Sequence, residues 1–137
     1  MDRFLKIMLI EDDMIEVMKL NRTFNKLNYK HKIIEAKNGE DALEILHKKN
    51  SLPDIILLDL NMPKLNGIEF LEILKNNNKL KYIPTIILTT SNNRKDILEC
   101  YKIGIAGYVI KPLKFDNYIE IIKRVLDYWS ANELIKT

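Results

Sequence analysis

Two rhythms of hydrophobic and polar positions alternate along this chain. One is a short, unbroken apolar run; the other is a longer stretch with apolar residues three and four apart. The plainest run is Ile55, Ile56, Leu57 and Leu58, which ends on a single acid, Asp59. A run with no polar interruption reads as a strand buried on both faces, as in the middle of a parallel sheet. Met62 and Pro63 stop it, because proline has no amide to give to a ladder. Similar runs predict strands over 4–10, 31–36, 83–88 and 108–110. The first ends on Glu11, Asp12 and Asp13, the fourth in chain order on Thr89, Thr90 and Ser91, and the last on Lys111 and Pro112.

The second rhythm fills the intervals. Val17, Leu20, Phe24 and Leu27 give a helix with one buried stripe, and Asp13 stands where a carboxylate would cap it. Asn38 is the expected cap of a helix over 40–48 that buries Ala42, Leu43 and Leu46. Residues 64–67 read as a turn from their Asn-Gly pair, and the helix over 68–76 buries Ile68, Leu71 and Leu74. The polar stretch 76–81 reads as a loop. A weaker helix over 94–103 carries Ile97 and Tyr101 and ends at Gly104. Tyr118, Ile122, Val125 and Trp129 stripe the last helix, for which Asp116 is a better cap than Lys114. Strand and helix alternate five times, and crossovers of this length imply a parallel sheet with helices on both faces.

Composition narrows the class without changing that picture. The 137 residues suit one domain over 1–137, with a core of about 4–129 and a frayed tail over 130–137. With 47% hydrophobic and 30% charged residues, and no apolar run near membrane-spanning length, a soluble protein is expected. The start, Met1-Asp-Arg, has no secretory pattern, so the cytoplasm is the expected location. Cys100 is the single cysteine, which excludes an internal disulfide framework, and it has no neighbouring base to activate it. The net charge of +3 is scattered, which argues against direct DNA binding. His31 and His47 lack metal-ligand spacing and read as surface or edge residues. Tyr101 and Trp129 read as packing residues.

Taken singly, the polar strand ends have bland explanations: helix capping for Glu11, Asp12 and Asp13, turn initiation for Asp59, a strand-end hydroxyl for Thr89 and a surface cation for Lys111. A parallel sheet, however, brings all these ends to one edge, where open α/β sheets place ligands. Three carboxylates gathered there repel one another until a divalent cation joins them, and an all-oxygen site with few protein ligands suits Mg²⁺. A carboxylate such as Asp59 can then attack phosphorus, with Lys111 and Thr89 offering an ammonium and a hydroxyl to the phosphoryl oxygens. No Gly-rich phosphate loop is present, so the donor is expected on another protein rather than on a nucleotide.

These motifs closely resemble the receiver domain of two-component response regulators. The pieces are Leu9-Ile-Glu-Asp-Asp13, Leu57-Leu-Asp-Leu-Asn-Met-Pro63 with Asn66-Gly67, Ile87-Leu-Thr-Thr90 and Gly107-Tyr-Val-Ile-Lys-Pro112. Residues 83–91 and the Asn-rich loop before them are similar to the phytochrome-associated single-domain type. The resemblance implies a flavodoxin-like (βα)5 three-layer sandwich with strand order 2-1-3-4-5. It implies Asp59 as phosphoacceptor, Asp12 as direct metal ligand, Glu11 as the acid holding metal water, and Asn61 as a backbone-carbonyl ligand. Thr89 would be the switch hydroxyl, Tyr108 the switch aromatic and Lys111 the phosphoryl-pairing lysine, aimed by a cis Lys111–Pro112 bond. Thr90 departs from the alanine common in relatives. A sensor histidine kinase or histidine phosphotransfer protein would be the donor. The face of the fourth helix, fifth strand and fifth helix would control a downstream protein or a homodimer. No membrane partner is implied.

Two other readings compete. A metal-dependent phosphohydrolase could use Asp59 as nucleophile, but the position two residues on, where such enzymes carry a second acid, is Asn61. A phosphorylation-independent binding module would have no use for the acid set. A flavodoxin binding FMN is weaker still, because Glu11, Asp12 and Asp13 would face the cofactor phosphate.

Overall fold

The computed structural model describes residues 4–48 and 52–135. The first three residues, Ser51 before the third strand and the last two residues of the expected tail lie outside the described residues. Five strands alternate with five helices: β1 Lys6–Ile10, α1 Met14–Leu27, β2 Lys32–Ala36, α2 Gly39–Lys48, β3 Ile55–Leu58, α3 Gly67–Lys75, β4 Thr85–Thr89, α4 Arg94–Ile103, β5 Gly107–Ile110 and α5 Phe115–Ser130. The loop expected over 76–81 runs into a single 3₁₀ turn, Leu80–Tyr82. All strands are parallel in the order β2-β1-β3-β4-β5. This is the flavodoxin-like order.

Side chains alternate faces along each strand, so the sheet carries two cores. Ile7, Leu9, Ile55, Leu57, Ile86 and Leu88 pack with Val17, Leu20 and Phe24 of α1 and Tyr118, Ile122 and Leu126 of α5. Met8, Ile10, Ile56, Leu58 and Ile87 pack on the other side with Leu46 of α2, Phe70, Leu71 and Leu74 of α3, and Cys100 of α4. Both faces being covered explains why the strands read as unbroken apolar runs.

Several local expectations are revised. Asn66 is the N-cap of α3 and not part of a free turn: it accepts from Glu69 N while Glu69 returns a bond to the cap amide. Gly67 is therefore the first helical residue, and a Cβ there would meet Asp59 O at 2.6 Å and Leu60 Cα at 2.7 Å. Phe70 takes the buried place expected of Ile68, which is only half-buried. Tyr101, expected to pack, is exposed. Lys114 occupies the cap position of α5 without a side-chain bond, and Asp116 lies in the first turn, where its charge suits the free amides. Asp13 caps α1 through Ile15 N, and Asn38 accepts from Asp41 N, as expected.

Candidate active site

The ladder continues past the ends of the strands and holds the polar residues in register. Glu11 N donates to Ala36 O at 3.0 Å, Asp59 N to Ile10 O at 3.1 Å, and Lys111 N to Thr89 O at 2.7 Å. Backbone bonds of this kind fix where each side chain starts. One carboxylate oxygen each from Glu11, Asp12 and Asp59 then lie within 4.8 Å of one another. Glu11 and Asp59 are buried and Asp12 is exposed, so the cluster opens to solvent on one side. Thr89 is fully buried beside it, whereas Thr90 and Asn61 are exposed.

Lys111 crosses from the other end of the chain. Its side chain is 6% exposed and its Nζ lies 2.8 Å from Glu11 Oε1 and 3.1 Å from Glu16 Oε1. Glu16 is a site residue that strand-end reasoning passed over, since it sits in the first turn of α1, where an acid reads as a partner for helix amides. The Lys111–Pro112 bond is trans, as are all peptide bonds among the described residues, contrary to the cis bond the resemblance implied. Trans is the lower-energy isomer even before proline, and the lysine reaches the cluster with it.

Electrostatics follow from burial. Desolvation pushes the Asp59 carboxyl above its ordinary value, and the opposing pull of Lys111, the Thr89 hydroxyl and the Asn61 amide does not cancel it. Glu11 is raised for the same first reason, although it holds the lysine. Burial acts to lower the Lys111 ammonium, but Glu11, Asp59 and Glu16 together keep it above its usual value. Two buried acids that resist ionisation, with one exposed acid beside them, form an oxygen-rich pocket suited to a hard divalent cation.

Tyr108 stands at the rim, half-buried, its hydroxyl donating to Ser91 O at 2.9 Å in the loop after β4. The remaining candidates are elsewhere. His31 accepts from Leu5 N through Nδ1 and packs edge-on to Phe24 and Tyr29, and His47 Nδ1 lies 2.7 Å from Leu43 O. Cys100 is buried, with its thiol pushed up to about 11 by desolvation and then by Asp96 and Glu99.

This arrangement coincides with a known family: residues 7–123 match the response regulator receiver domain. The chain belongs to that family. The receiver domain shares 34% identity over 127 residues with a probable methanogenesis regulatory protein, FilR2, of Methanothrix harundinacea, covering 90% of this chain and 82% of that one. The response regulator Rcp1 of Synechocystis is 29% identical over 128 residues, covering 90% and 87%. Among solved structures, the phosphorylated cyanobacterial phytochrome response regulator RcpA superposes with a TM-score of 0.89 at 30% identity, over 96% of this receiver domain and 99% of that chain. The Mn²⁺-bound form of Rcp1 gives 0.87 at 28% identity, over 96% and 99%. A place in two-component signalling follows from the family. Among the described residues no helix is long and apolar enough to cross a membrane.

Proposed function

We propose that the chain acts as a single-domain response regulator that accepts a phosphoryl group on Asp59 from a sensor histidine kinase or a histidine phosphotransfer protein. The observation that carries this reading is the meeting of Glu11, Asp12 and Asp59 within 4.8 Å, with the Lys111 ammonium buried against Glu11. Glu11, Asp12, Asp59 and the Asn61 carbonyl would hold Mg²⁺, which supplies positive charge to the phosphoryl oxygens when bound. An Asp59 oxygen forms the new bond to phosphorus as the phosphorus–nitrogen bond of the donor phosphohistidine breaks, and the imidazole leaves with that electron pair. The Lys111 ammonium and the Thr89 hydroxyl meet charge that builds on the equatorial oxygens. Relatives crystallised in a phosphorylated form and in a Mn²⁺-bound form are consistent with both requirements.

Output is a population shift. Thr89 is drawn to the phosphoryl group, and Tyr108 leaves Ser91 for the space vacated, changing the surface of α4, β5 and α5. Exposed Leu98 and Tyr101 on α4, Ile110 on β5 and Tyr128 on α5 give those elements apolar character suited to a downstream protein or a second copy in the cytoplasm. Asn61 cannot donate a proton as a second acid would, which counts against a phosphohydrolase.

Acetyl phosphate with Mg²⁺ should label the wild type and leave Asp59→Ala unlabelled. Equal labelling of the two would remove Asp59 from its role.

A further inference from the structure

Glu16 sits three residues after the Asp13 cap of α1, where a glutamate ordinarily turns back to the amide of the cap residue. That amide is already engaged, because Asp13 N donates to Glu11 Oε2 at 3.2 Å. Glu16 turns instead towards Lys111. The two anions that share this ammonium are unequal. Glu11 Oε1 accepts an aligned hydrogen bond at 2.8 Å. Glu16 Oε1, at 3.1 Å, is buried and accepts no aligned hydrogen bond at all. Its other oxygen lies 3.6 Å from Lys19 Nζ, and the side chain is 21% exposed. One carboxylate therefore grips the lysine and the other only leans on it, with a second cation close by. The ammonium makes no ion pair with Asp59 among the described residues and acts on it through its field.

We propose that Glu16 is a positioning residue that shares Lys111 with Glu11 and holds it back from Asp59 until a phosphoryl group is there, a role that rests on the reading of Asp59 as phosphoacceptor. A phosphoryl group is the stronger anion, and the ammonium moves towards it by giving up its poorly aligned partner first. Glu16 then closes on Lys19, whose ammonium lies 4.6 Å from the Tyr118 ring centre of α5. The glutamate thus raises the threshold for keeping a phosphoryl group, and its release alters a contact between α1 and α5.

The test uses the full chain as wild type, Glu16→Gln, Glu16→Asp, Lys111→Met and the Glu16→Gln/Lys111→Met double variant. Calorimetry measures the affinity for beryllium fluoride, a phosphoryl mimic on carboxylates, in Mg²⁺. Proton–nitrogen NMR follows the Lys111 ammonium in metal-free protein. Glu16→Gln should bind the mimic roughly three- to ten-fold more tightly, the scale of one partly exposed ion pair. Glu16→Asp should return towards wild type, and the gain should vanish when Lys111 is methionine. The ammonium resonance should move in Glu16→Gln before any mimic is added. Unchanged or weaker affinity in Glu16→Gln overturns the proposal, as does equal tightening in the Lys111→Met background, which would make the effect one of net charge. A wild type that binds no mimic, like an Asp59→Asn control, overturns the phosphoacceptor reading itself and Glu16's role with it.

Discussion

Helices α1 and α3 begin with the same local arrangement, an aspartate or asparagine cap followed three residues later by a glutamate, and they use it differently. At α3 the box closes: Asn66 accepts from Glu69 N at 2.9 Å, and Glu69 accepts from Asn66 N at 3.1 Å. At α1 neither half of the box forms, and the cap bond goes instead to the second helical residue. Asp13 accepts from Ile15 N at 2.9 Å, but its own amide goes to Glu11 and Glu16 goes to Lys111. A carboxylate-to-amide capping bond is local and modest, whereas a lysine ammonium brought in from residue 111 is a charge that must be neutralised once buried. Where the sheet edge gathers charge, the distant partner overrides the local motif. Where it does not, the motif closes on itself.

The start of α3 nevertheless touches the site from behind, and the largest expected effect lies there. Gly67→Ala would press a Cβ onto Asp59 O and Leu60 Cα, which are backbone atoms with no rotamer to yield. We expect a loss of about 2–3 kcal/mol, as for overpacking a rigid core, read from urea unfolding. Stability within a few tenths of wild type would mean that the loop carrying Asp59 can shift, and that α3 does not fix the site.

At the site itself the effect of a substitution on stability should change sign. Burial holds the Asp59 and Glu11 carboxyls above their ordinary values. In that case the folded chain keeps protons the unfolded chain has lost. Their contribution to stability is full below about pH 4, where unfolded carboxylates protonate, and is lost as the pH rises through the raised folded values. Asp59→Asn should therefore melt higher than wild type at pH 7 without metal. The gap should close as the pH falls towards 4, and Mg²⁺ should narrow it at pH 7 by stabilising only the wild type. Identical melting of the two proteins across this range would contradict the desolvation account.

What could be read in advance divides along the same line. The strands were visible because Ile55 to Leu58, and their neighbours in the sheet, are apolar on both faces, and parallel topology sends every strand end to one edge. Glu11, Asp12, Asp59, Thr89 and Lys111 could be picked out because each directly follows or ends such a run. Glu16 could not, since nothing in its helical position distinguishes it from Glu69. Only the approach of Lys111, ninety-five positions away, does so. The isomer of the Lys111–Pro112 bond was equally illegible, because both isomers lie within about 1 kcal/mol for any residue before proline. The Asn66-Gly67 pair misled for a related reason: asparagine favours caps as readily as turns, and the choice rests on Glu69 and on the packing of Gly67 against Leu60.

The smallest effects sharpen the contrast most. Asn66→Ala should cost about 1 kcal/mol, the usual value of a cap, and Glu69→Gln only a few tenths, because glutamine can still accept from the cap amide. Neither should change Mg²⁺ affinity or labelling by acetyl phosphate, since no bond of that box reaches the acid cluster. Glu16→Gln is also isosteric and also at the third helical position, so its effect on stability should be of the same small size. Any change it brings to the site must then come through Lys111 rather than through the helix. Measured side by side, equal behaviour of the two glutamine variants in both unfolding and Mg²⁺-dependent labelling would reduce the two helix starts to one kind. A difference confined to the labelling would place the distinction in the ion pair at 3.1 Å.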